Sequence, residues 1–107
     1  MQIEIELFCA FTSECLEAET CNDTTFSFDL KGRAGGMAES DMVVQTELTS
    51  EIGDTALIGA RSGAALSLAG GSFESRQLLT INEDGAARYT LHYADGPMVI
   101  SYLGECS

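Results

Sequence analysis

Residues 77–106, QLLTINEDGAARYTLHYADGPMVISYLGEC, carry the pattern that decides the fold. Gln77, Leu79 and Ile81 recur at every second position and lead into Asn82-Glu83-Asp84-Gly85. Tyr89, Leu91 and Tyr93 do the same and lead into Ala94-Asp95-Gly96-Pro97, after which Met98, Ile100 and Tyr102 run toward Cys106. Period-two alternation broken by short Asp-Gly turns predicts three consecutive hairpin-linked strands. Pro97 falls at the start of a strand, where its missing N–H is tolerated.

The same alternation recurs upstream. Ile3, Ile5, Leu7, Cys9 and Phe11 fall on one side of residues 2–11, which predicts a half-buried strand with Cys9 pointing into the core. Residues 25–31 place Phe26, Phe28 and Leu30 on one face, and residues 42–49 place Met42, Val44, Thr46 and Leu48 on another. Between them, the glycines and Arg33 of residues 32–36 read as a turn. In residues 51–71, Asp54 is a potential cap for an Ala-rich helix, but Gly59 and Gly63 oppose it at about 1 kcal/mol each. Two short strands, one around Ala56–Arg61 and one around Ala64–Ala69, are the preferred reading.

Strands joined by short turns, with no long helical pattern, predict a single all-β domain over residues 1–107. Its form is a small antiparallel barrel or sandwich of about seven to nine short strands. No stretch reaches the ~18 apolar residues of a membrane helix. Seventeen Asp and Glu against five Lys and Arg give a formal net charge of −12, which repels nucleic acid and anionic membranes and favours a monomer with a basic partner. The first thirty residues contain acids but no Lys or Arg, which concentrates negative charge at one end of the molecule.

The four cysteines are Cys9, Cys15, Cys21 and Cys106. An even count in a short acidic chain predicts disulfides and an oxidising compartment, periplasmic or extracellular. Met1-Gln2 lead directly into the first strand, as in an exported chain whose leader has been replaced by an initiator Met; a cytoplasmic chain is the alternative. Three connectivities are open. If the first and last strands are neighbours, Cys9 is well placed to pair with Cys106, leaving Cys15 and Cys21 to close a small loop. Residues 12–24 lose the alternation and read as an acidic connection containing one helical turn capped by Ser13.

That connection lacks the residue order of a calcium loop. Structural zinc sites use cysteines two to four residues apart, whereas five residues lie between Cys15 and Cys21 and the only histidine, His92, is remote. No metal or other cofactor is therefore expected. His92 lies on the polar face of its strand, the Gly-x-Ser-x-Gly elbow is absent, and Gly35-Gly36 and Gly70-Gly71 lack the Lys and helix of a phosphate loop. The chain reads as a non-catalytic binding domain for a protein or small ligand. A barrel holding a small apolar ligand, like a lipocalin, is an alternative.

Phe8-Cys9 in an early strand, Ser62-Gly63-Ala64 in mid-chain, the C-terminal meander and a final Cys106 resemble the small periplasmic lysozyme-inhibitor barrels of the membrane-bound type. The resemblance implies that Ser62, Gly63 and Ala64 form a loop that enters the cleft of a basic lysozyme. The tyrosine that follows in that family is replaced here by Leu66, a departure at the inhibitory contact. The run from Asn82-Glu83-Asp84-Gly85 to Tyr102-Leu103-Gly104-Glu105-Cys106 is also similar to small exported proteobacterial proteins of unknown function, which implies export.

Overall fold

The computed structural model describes all residues, Met1–Ser107. Its strands are β1 (Gln2–Leu16), β2 (Asn22–Asp23), β3 (Ser27–Ala38), β4 (Asp41–Ser50), β5 (Gly53–Ser62), β6 (Ala65–Gly71), β7 (Ser75–Ile81), β8 (Ala86–Tyr93) and β9 (Met98–Cys106). β2 is a short pairing against Ser13 and Glu14. The other eight strands follow one another antiparallel around a barrel, and β9 returns to pair with β1. That closing pair makes the fold a barrel rather than a sandwich and leaves no long open edge.

Directly paired residues can be followed once around the wall, through Glu14, Tyr102, Tyr89, Leu79, Leu68, Gly59, Val44 and Ala34, arriving at Ile3. The circuit returns to β1 far upstream of Glu14, so the strands are staggered and tilted, as closure of a sheet requires. Alternate residues turn inward. Met42, Val44, Leu57, Leu68 and Leu79 are fully buried and belong to one cluster that extends from Ile5 to Cys106. The only buried polar residue, Thr46, donates its hydroxyl to the Leu57 carbonyl at 2.7 Å.

Inward-facing glycines let neighbouring strands coil closely. A Cβ on Gly59 would collide with the Ser67 carbonyl oxygen, and one on Gly32 with that of Gln45. Gly32 through Gly36 therefore lie inside β3, where Gly32 pairs with both Ile5 and Thr46. This corrects the expected turn at residues 32–36, since the chain reverses instead at Glu39-Ser40. The glycines here serve curvature and close approach within a strand.

A second correction concerns residues 12–16. They continue β1, and no helical turn begins at Ser13, which pairs with Asp23 on one side and Leu103 on the other. A bulge between Phe11 and Ser13 shifts the register, so the alternation changes phase and Glu14 lies opposite the inward-facing Tyr102. Residues 51–71 form β5 and β6, with Leu57 buried and Ile58 on the outer wall. The helical alternative for this region does not occur.

The barrel has two different ends. The terminal end gathers both chain termini and the β3–β4, β5–β6 and β7–β8 turns. The acidic end gathers the β1–β3 connection and the β4–β5, β6–β7 and β8–β9 turns.

Candidate functional site

Cys9 and Cys106 are bonded at an S–S distance of 2.01 Å, and Cys15 and Cys21 at 2.02 Å, which leaves no free thiol. The first bridge joins β1 to β9 at the barrel seam, and the second closes the acidic loop after β1. Both pairs are those expected if the first and last strands are neighbours.

Ser62, Gly63 and Ala64 form the β5–β6 turn at the terminal end. Gly63 adopts a φ of 62°, a left-handed conformation suited to glycine. Its N–H donates to the Glu39 carbonyl at 2.9 Å, its carbonyl accepts from Arg61 Nε at 2.5 Å, and Glu83 Oε1 occupies the space a Cβ would need. The turn is thus held by hydrogen bonds to Glu39 and Arg61, with Glu83 alongside, while Ser62 and Ala64 stay exposed. Leu66, at the position of the expected tyrosine, is buried and faces the core.

Beside this turn lies a hollow of about 300 Å³ lined by Glu4, Glu6, Arg61, Ala64, Leu66 and Glu83, among others. Three carboxylates there face one guanidinium, and no carboxylate comes within ion-pair distance of Arg61. The only ion pair in the protein is Lys31–Glu6 at 3.9 Å, and it is exposed. His92 is exposed on the outer wall of β8, paired with Arg76 and Val99.

The acidic end has a different chemistry. Glu17, Glu19, Glu51, Glu74 and Asp95 lie in its four connections, which contain no Lys or Arg. Beneath them, the rings of Phe11, Phe26, Phe28, Tyr89 and Tyr102 pack together, the closest pair being Phe26 and Tyr102 with centroids 4.9 Å apart. A hollow of about 340 Å³ opens onto this cluster between Glu14, Phe26, Glu51, Ile52 and Tyr102. Burial, and after it the neighbouring Glu14 carboxylate, push the Tyr102 hydroxyl up to about 12, so it stays a neutral donor. Tyr89 is raised further, chiefly by burial, and donates to Gln77 Oε1.

Ile52 and Phe73 project from this end at the tips of the β4–β5 and β6–β7 turns, and they are 81% and 83% exposed. Nothing in the alternation marks these residues. The available sequence signal is an isolated large apolar residue within two positions of a glycine of positive φ, Gly53 after Ile52 and Gly71 before Phe73. Scans against family models, curated proteins and solved structures found no match to this chain.

Proposed function

We propose that the protein is a non-catalytic binding domain of an oxidising compartment, periplasmic or extracellular, and that its partner is a basic protein. The observation that carries this reading is the distribution of charge on a filled barrel. Side chains occupy the interior, whereas one end presents Glu17, Glu19, Glu51, Glu74 and Asp95 without a cation in its connections. Such a surface attracts and orients a positively charged protein before contact. Two disulfides are compatible with an oxidising location. A carrier of a small apolar ligand has less support, because Met42, Leu57, Leu68 and Leu79 fill the positions such a ligand would need.

The test is binding of purified, oxidised protein to a panel of basic and acidic proteins by calorimetry at low ionic strength. Saturable binding confined to basic proteins supports the proposal. Equal binding to both sets, or to neither, overturns it.

The lysozyme-inhibitor reading is a narrower form of the same proposal, favoured by the exposed Ser62 and Ala64 at a braced hairpin tip. Loss of lytic activity of a basic lysozyme at micromolar protein, relieved by Ser62→Trp, would support it. Full lytic activity would remove it and leave the broader reading intact.

A further inference from the structure

Resting on the basic-partner reading, we infer that the contact is made at the acidic end by Ile52 and Phe73, and that the occupant is a cationic segment bearing apolar side chains. Single exposed apolar residues are ordinary on a protein surface. These two differ in placement, because they occupy consecutive turns of the same barrel end and each has an acid as its chain neighbour, although Arg76 also lies three residues after Phe73. Glu51 precedes Ile52, Asp54 follows two residues later, and Glu74 follows Phe73.

The turns that carry them are well defined. Gly53 has a φ of 133° and its carbonyl accepts from Ser50 Oγ at 3.0 Å. Gly71 has a φ of 97°, and the Ser72 N–H donates to the Ser75 carbonyl at 2.9 Å. Between the two turns lies a shallow hollow of about 400 Å³ bordered by small residues such as Ala56, Gly71 and Ser72, with Asp54 at its edge. Neither anchor lines that hollow, and Ile52 borders the other one, beside Phe26 and Tyr102; two apolar anchors on ordered turns with carboxylates beside them have the layout of an apolar contact with a polar rim.

Charge selects the occupant. A second copy of this end, a nucleic acid or an anionic bilayer would bring negative charge against Glu51, Asp54 and Glu74. A segment in which Leu or Phe alternates with Lys or Arg satisfies both the anchors and the rim.

The experiment uses the full chain with both disulfides intact. It is titrated at low salt with a short capped peptide of alternating lysine and leucine, with a lysine-only peptide of equal length as control, while amide NMR shifts are followed. The expected result is tighter binding of the alternating peptide and shifts centred on Ile52 and Phe73. Ile52→Ser combined with Phe73→Ser should weaken that binding by about tenfold or more, toward the level of the lysine-only peptide. Glu51→Gln with Glu74→Gln should weaken both peptides, whereas Val43→Ser, on the outer wall of β4 toward the other end, should change neither. Unchanged affinity in the Ile52/Phe73 variant, or shifts centred on Ser62–Ala64, would overturn the inference while leaving a basic partner in place. Failure of both peptides to bind would overturn the basic-partner reading itself. Binding of the wild-type chain to neutral phosphatidylcholine vesicles through the same two residues would overturn the protein-segment assignment.

Discussion

Cys9 and Cys106 face each other across the β1–β9 seam with Cα atoms 4.0 Å apart, although 97 positions separate them in sequence. The adjacent pair, Phe8 and Ser107, exchanges both backbone hydrogen bonds, which makes the cysteines the close, non-hydrogen-bonded pair of the ladder. The bridge therefore locks the register that closes the barrel. A loop of this length is worth about 4–5 kcal/mol in the chain-entropy description, against about 2 kcal/mol for the short Cys15–Cys21 loop. Replacing Cys9 and Cys106 by serine should lower the urea midpoint much more than replacing Cys15 and Cys21. Equal shifts would show that the seam does not depend on its bridge.

Gly59 should be among the least tolerant glycines of the wall. Gly59→Ala drives a methyl into the Ser67 carbonyl, whereas at Gly35 a methyl meets nothing within 4 Å. Overpacking of this kind costs about 1–3 kcal/mol or more, so Gly59→Ala should destabilise strongly while Gly35→Ala should be close to neutral. Thermal melts of the two variants side by side check the contrast, and equal melting temperatures would contradict it.

Alkaline pH should destabilise the protein through the buried Tyr89 and the partly buried Tyr102. Tyr102 ionises near 12 in the fold against 10.0 in an unperturbed side chain, and Tyr89 is raised beyond it. The unfolded chain releases these protons first, so the stabilisation is complete below about pH 10 and is lost as pH rises through the folded values. The urea midpoint should fall steadily above about pH 10. Appearance of tyrosinate absorbance from Tyr89 and Tyr102 near pH 10 with the fold intact would refute the assignment.

The parts of this fold legible in the sequence are those where alternation runs unbroken. The strands around Leu79, Leu91 and Ile100 and the inward face of Met42, Val44, Thr46 and Leu48 are of this kind, because a half-buried strand has no other way to arrange its side chains. The bulge after Phe11 inverted that alternation and hid the second half of β1. Gly32 and its neighbours resembled a turn because a glycine required by a neighbouring carbonyl looks the same in sequence as one required by a positive φ. Barrel closure rests on pairing between the two ends of the chain, which no local pattern encodes. The candidate site was the least legible part. Exposure of Ile52 and Phe73 is a property of which turns share an end, and that follows only from topology.

Binding of a cationic segment at the acidic end must depend on salt. Affinity of the oxidised wild-type protein for the alternating lysine–leucine peptide should be measured from about 10 mM to about 1 M NaCl, over which the screening length falls from about 30 Å to about 3 Å. A steep fall in affinity is expected, to a weak residual that disappears in the Ile52/Phe73 variant. An affinity that is flat across that range, or that rises with salt, would contradict it.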